Sequence, residues 1–257
     1  MKLDKLIKDK FIYTKKNNII RTLYFFFHYI KIHYFKSYSQ GGVDLLVNRF
    51  FKNQDVGIYL DVGAYHPIKW SNTYLLHKRG WKGINIDLDE HSIEMFKYFR
   101  TNDHSRQIAI SDYEGHIDLY RYHERSAVQT VSSDAAKRMD SDIVNKIVVK
   151  CDTLNNIIED SPFKDKKIDF LTIDIEGHEL AALQNFNFKK FEPKLVVIEY
   201  NDPELVSFEF QYQRIENIMN SKIYKFMYDK NYKFVNWHHA DLIFISDTIY
   251  RQRGVHF

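Results

Sequence analysis

Two apolar runs, each ending in a carboxylate and a glycine, constrain this chain more than any other feature. They are Ile58-Tyr-Leu-Asp-Val-Gly-Ala-Tyr65 and Ile168-Asp-Phe-Leu-Thr-Ile-Asp-Ile-Glu-Gly-His-Glu179. Runs this apolar suit strands buried on both faces, as in a parallel sheet, better than strands with one wet face. In an open parallel sheet, ligands gather outside the carboxyl ends of the strands. The acids and glycines stand at those ends.

The surrounding pattern agrees. From residue 43 the chain alternates helix and strand. Helices are predicted at 43–53, 71–80, 90–100, 152–159, 179–185 and 211–229. Strands are predicted at 57–62, 83–88, 106–110, 117–122, 147–150, 168–174 and 194–199. An antiparallel pair, 232–236 with 242–246, closes the chain. Such alternation implies an α/β fold: a doubly wound, mostly parallel sheet with a C-terminal antiparallel strand pair. Residues 123–146 are polar and irregular, and read as a loop over the site. Residues 1–40 form a separate basic, aromatic extension, with residues 41–257 as the main domain. Ile20, Leu23, Phe27, Ile30 and Tyr34 fall at helical spacing there. The favoured reading packs this helix on the main domain or on a second subunit. The other lays it on an anionic membrane surface.

Composition excludes several classes. A net charge of +3 over 257 residues is too small to argue for nucleic acid. One cysteine, Cys151, rules out a disulfide framework and a cysteine-rich zinc site. No apolar run reaches the roughly 18 residues of a membrane span. The opening Met1-Lys-Leu-Asp-Lys5 lacks a signal-peptide core. The expected compartment is the cytoplasm.

The strand ends suggest a nucleoside cofactor. Asp61 lies two residues before Gly63, which permits close backbone approach and an unusual turn. Ser71 or Asn72 can cap the next helix. Asp87 ends the second strand, where an acid accepts hydrogen bonds from ribose hydroxyls. Ser111 and Asp112 end the third and can border adenine. The loop after Asp61 has one glycine, not the G-x-G-x-x-G that brings backbone up to a pyrophosphate. A phosphate-free cofactor, S-adenosylmethionine, is therefore favoured over NAD.

These residues resemble the FkbM-type S-adenosylmethionine-dependent methyltransferases. The resemblance runs in order through Leu60-Asp-Val-Gly-Ala-Tyr65, Ser71-Asn-Thr73, Gly80-Trp-Lys-Gly-Ile-Asn-Ile-Asp87, Ala109-Ile-Ser-Asp112 and Asp152-Thr-Leu154. It continues through Ile168–Glu179, Pro193-Lys-Leu-Val-Val-Ile-Glu199 and Asp241-Leu-Ile-Phe-Ile245. It implies a Rossmann-like methyltransferase fold and O-methyl transfer, often to a sugar or a glycosylated product. It also implies cofactor contacts at Asp61, Gly63, Ala64, Tyr65, Asn72, Thr73, Asp87, Ser111 and Asp112. Many family members carry Asn and Gly where this chain has Tyr65 and Pro67.

A sugar hydroxyl is a poor nucleophile at neutral pH, so a base or a metal should help. Asp174, Glu176 and His178 are the catalytic candidates. Asp174 ends its strand beside the expected methyl, and His178 is a natural proton acceptor by its ordinary pKa. Glu179 can instead favour the helix N-terminus electrostatically. Glu199 with Asp174 can form an oxygen-donor site for a divalent metal. His66 is a further base candidate, and Trp237-His-His239 can meet substrate. The expected partner is a sugar or glycan-precursor acceptor, with self-association left open. Two other readings remain: a NAD-dependent oxidoreductase or epimerase, and a non-catalytic, membrane-docked interaction module.

Overall fold

A computed structural model describes residues 37–121, 129–131, 133, 145–200 and 214–254. The expected N-terminal helix falls, through Lys36, outside the described residues. So does most of the expected loop at 123–146. The fold belongs to the unit Tyr38–Phe257.

Its centre is a seven-stranded sheet. In chain order the strands are β1 (Ile58–Val62), β2 (Lys82–Asp87), β3 (His104–Gln107), β8 (Phe170–Ile173), β9 (Leu195–Glu199), β10 (Tyr232–His238) and β11 (Asp241–Ser246). The spatial order is β10-β11-β9-β8-β1-β2-β3. Strands β3, β2, β1, β8 and β9 run parallel, while β11 is antiparallel to both β9 and β10. This is the doubly wound, Rossmann-like arrangement. The order reverses between β1 and β8, so the two acid-tipped strands are neighbours at the switch point, where such sheets bind ligands.

Strand periodicity sorts the core into two layers. Leu60, Val62, Ile84, Ile86, Leu171, Ile173, Val196 and Ile198 pack on one face. Tyr59, Phe170, Leu195 and Val197 pack on the other, against Val43, Val47, Phe51 and Trp81. Successive side chains alternate faces, so a run buried on both sides must be apolar at every position. Fully burying each Leu, Ile or Phe contributes roughly 1.5–3 kcal/mol. Asp61 is the polar exception within β1, and it lies on the Tyr59 side.

Helices α1 (Val43–Phe50), α2 (Tyr74–Lys78), α3 (Glu90–Phe99), α4 (Leu154–Glu159) and α5 (Glu179–Gln184) agree with the expected segments, with shorter ends. A four-residue α6 (Phe188–Phe191) and a C-terminal α9 (Asp247–Gly254) were not anticipated. The expected helix 211–229 is two helices where described, α7 (Ile215–Asn220) and α8 (Lys222–Asp229). Ser221 separates them with extended backbone. Its hydroxyl donates to the Ile218 carbonyl and accepts from the Tyr224 amide. Residues 211–213 lie outside the description.

The expected strand 106–110 also divides. Gln107 ends β3, and Ala109–Ile110 becomes β4 of a second sheet. That sheet has order β4-β7-β5-β6, with β5 (Gly115–Arg121), β6 (Gln129–Thr130) and β7 (Asn145–Asp152). Hydrogen bonds from Ile108 N to the Asp87 carbonyl and from Ser111 N to the Asp152 carbonyl carry the chain between sheets.

Candidate functional site

A cavity of about 1180 Å³ opens at the carboxyl ends of the main-sheet strands. The second sheet supplies an apolar wall through Leu119, Ile147 and Val149. Val148, which alternates with the last two, is exposed. Thr130 Oγ1 donates to the Glu176 carbonyl at 2.7 Å and ties this wall to the sheet edge.

The turn after β1 is held from behind. Asp61 is buried and accepts from Thr73 Oγ1 at 2.5 Å. Thr73 Oγ1 in turn accepts from Arg100, 2.8 Å away. Arg100 follows α3 and is fully buried. Its guanidinium also donates to the Pro67 carbonyl and to Ser71 Oγ, at 2.9 and 2.8 Å. Ser71 Oγ takes the amides of Thr73 and Tyr74, which caps the entry to α2. Asn72 is left to donate to Thr172 Oγ1 at 3.0 Å, and it lines the cavity. A buried charge must be balanced. Here Asp61 balances it through Thr73, and buried Asp103 through the Tyr59 hydroxyl. Burial raises the Asp61 pKa to about 6, while Thr73 and Arg100 pull it back down.

Gly63 has φ +77°, and a Cβ built on it would stand 1.7 Å from the Asp174 carbonyl oxygen. Only glycine fits where the β1 and β8 ends meet backbone to backbone. Next along the chain, Tyr65 stacks on Trp70 at 5.3 Å, and both line the cavity. The Tyr65 amide donates to Asp87 Oδ2 at 2.7 Å, and the Asp89 amide to Oδ1 at 2.8 Å. Asp87 is thereby fixed at the cavity edge beside the start of α3. Burial raises its pKa to about 6, against the pull of those amides.

The second strand end is built differently. Glu176 and Gly177 both have positive φ, which makes a tight turn after Asp174. Glu179 Oε1 accepts the amides of Ile175 and Gly177 at 3.1 and 2.9 Å, so this acid braces the turn. Asp174 opens onto the cavity, as do Glu176, Glu199 and Asp241. Sheet register explains the gathering. Ile173 pairs with Ile198, one residue before Asp174 and Glu199, and Asp241 pairs with Glu199. No lysine or arginine lines the cavity among the described residues.

The consequence is a set of raised carboxyl pKa values. Burial, then the Asp174 and Glu179 charges, lifts Glu176 to about 7. Burial and Asp174 lift Asp241 to about 7. Glu199 is pushed well above the carboxylate range by burial, then by Asp174 and Glu176. Asp174 reaches solvent through the cavity, yet the surrounding walls desolvate it and raise its pKa. Asp174 and Glu199 lie within hydrogen-bonding reach of each other. Two carboxylates this close cannot both stay ionised without a proton or a cation between them.

Of the residues the sequence singled out, Gly63, Tyr65, Asn72, Asp87, Asp174 and Glu176 line the cavity. Asp61 and Thr73 stand behind it. Ala64 is buried, its amide bonded to the Ile86 carbonyl. Ser111, Asp112 and His178 form a group outside the lining. Ser111 Oγ meets Asp112 Oδ1 at 3.1 Å and His178 Nε2 at 3.3 Å. Burial lowers the His178 pKa. His66 Nδ1 accepts the amides of Ile68 and Lys69, so it caps its own loop. His239 lines the cavity, whereas His238 bonds the Gly41 carbonyl. Sequence reasoning missed Arg100 and Asp241. Asp241 was quoted only within a motif, and nothing marked Arg100, a lone cation after an ordinary amphipathic helix.

The family model described as the methyltransferase FkbM domain matches residues 61–234. No curated protein matches the chain. Among solved structures, a TehB-like SAM-dependent methyltransferase from Corynebacterium glutamicum aligns with TM-score 0.42 at 10% identity, covering 88% of this chain and 96% of that one.

Proposed function

The chain belongs to the FkbM domain family of S-adenosylmethionine-dependent methyltransferases, and on that premise we propose that it methylates a hydroxyl of a sugar or glycan precursor. One observation carries the reading: the Gly63 turn and the Asp174 carbonyl are in backbone contact. A donor held by the first strand end therefore lies beside the carboxylates of the second. The cavity fits such a donor. Asp87 keeps lone pairs for ribose hydroxyls beyond the two amides it accepts. Asn72 and the Gly63–Tyr65 turn line the adjoining wall. The donor supplies an electrophilic methyl on a sulfonium.

The protein's part is to position the acceptor and take its proton. A carboxylate with a pKa near 7 is a competent base at neutral pH, and Glu176 lies in that range. A sugar acceptor is supported by Trp70, 47% exposed and stacked on Tyr65 at the cavity, because an aromatic face suits the apolar face of a pyranose. Among the described residues, no helix is long and apolar enough to cross a membrane. A cytoplasmic enzyme is part of the proposal, as is a surface or subunit contact through residues 1–40.

Calorimetry and turnover test the assignment. The full chain should bind S-adenosylmethionine, and Asp87→Ala should weaken that binding at least tenfold. Glu176→Gln should keep binding yet lose methyl transfer to a sugar hydroxyl. Binding of NAD alone would overturn the assignment.

A further inference from the structure

We propose that Asp174, Glu176 and Glu199 hold a divalent cation of the magnesium class on the acceptor side of the cavity. Each residue offers one carboxylate oxygen, and these oxygens lie within 4.8 Å of one another. Opposite ligands of an ion bound at about 2.1–2.5 Å stand roughly 4.2–5 Å apart, so the observed span is one that a single ion bridges. All three ligands are hard oxygens, which selects magnesium, manganese or calcium over zinc or copper.

An acidic cluster alone would not carry this inference. Glu199 adds an independent observation. Its Oε2 is shut off from solvent and, among the described residues, accepts no hydrogen bond. A buried acceptor left without a donor is costly, on the order of 1–3 kcal/mol and more when charged. Every other acid in this region has a use or an opening. Glu179 takes two amides, Asp87 takes two amides, and Asp61 takes Thr73. The charges that act on Glu199 are those of Asp174, Glu176 and Glu179, and no described lysine or arginine lines the cavity. A bound cation satisfies the orphaned oxygen and cancels the repulsion among its neighbours in one step.

Asp241, opposite Glu199 in the sheet, adds negative charge beside the three ligands. The remaining coordination positions face the cavity. An acceptor hydroxyl bound there becomes more acidic and is held at a fixed distance from the Gly63 turn. That role rests on the methyl-transfer reading. The ion site itself rests on the geometry alone.

The experiment titrates manganese into the dialysed full chain, followed by electron paramagnetic resonance and calorimetry, with magnesium as competitor. One ion per chain should bind, and magnesium should displace it. Glu199→Gln should weaken manganese at least tenfold. Glu176→Gln, at a less enclosed position, should weaken it by a similar factor in a chain whose fold circular dichroism shows intact. S-adenosylmethionine is titrated into the same samples. Absence of manganese binding at millimolar concentration overturns the ion site, as does binding unchanged in both variants. Cofactor binding in such samples leaves the methyltransferase reading standing. Loss of cofactor binding with manganese retained defeats that reading and leaves the ion site in place.

Discussion

The two strand ends at the switch point hold their charges in opposite ways. Behind β1, a buried guanidinium is surrounded by acceptors: Asp61 through Thr73, Asp103 through Tyr59, Ser71, and the Pro67 carbonyl. Beyond β8, Asp174, Glu176, Glu199 and Asp241 share a cavity with no described lysine or arginine. The first end is electrostatically closed by the protein itself. The second has no such counter-charge among the described residues. Removing the cation should therefore harm the first end, and removing an acid should relieve the second.

Substitution at Arg100 tests the closed end most severely. Arg100→Met fills similar space but leaves buried acceptors unpaired, and should cost about 3–5 kcal/mol in urea unfolding. A loss below about 1 kcal/mol would show that the network is not what holds the turn.

Gly63→Ala attacks the seam between the ends. The new methyl meets the Asp174 carbonyl, and the positive φ adds strain. About 3 kcal/mol should be lost, together with S-adenosylmethionine affinity. Wild-type affinity in the variant would mean that the seam does not set the donor position.

Asp61→Asn probes how complete the compensation is. The folded pKa is raised from 3.8 to about 6. A raised acid binds more protons folded than unfolded. Its stabilising contribution is therefore full below pH 4 and lost as pH rises through about 6. The wild type should lose up to about 3 kcal/mol relative to the Asn variant across that window. Parallel melting curves in the two proteins from pH 4 to 7 would contradict this.

Glu199→Gln gives the smallest and most telling effect. In the metal-free chain it should raise stability by about 1 kcal/mol at pH 8, because it removes a carboxyl whose ionisation burial and the neighbouring acids oppose. Destabilisation there would mean that the acceptor-side end is as closed as the other.

Much of this was legible in the chain. Local patterns carry strand ends well: apolar runs locate β1 and β8, and the acids and glycines sit where their pattern breaks. Gly63, Asp87, Asp174 and Glu176 were placed at the sheet edge by that reasoning, and they line the cavity. What local patterns cannot carry is register between distant segments. Asp241 joins the acids only because β11 inserts between β9 and β10. The split of residues 106–110 between two sheets depends on hydrogen bonds to Asp87 and Asp152 carbonyls that no spacing announces. Side-chain direction is equally hidden. His178 sits in the most informative motif, yet its ring turns to Ser111. Arg100 was invisible because its role comes from what folds around it, the loop 67–73 on one side and Tyr59 of β1 on the other.

The contact at Gly63 has a consequence for divergence. Because backbone rather than side chains spaces the two ends, the reach from donor to acceptor in the proposed reaction is set by the fold. Substitutions along the cavity wall can then change which acceptor is admitted without re-solving the distance that transfer requires. A lineage built on this seam is free to explore new acceptors one side chain at a time.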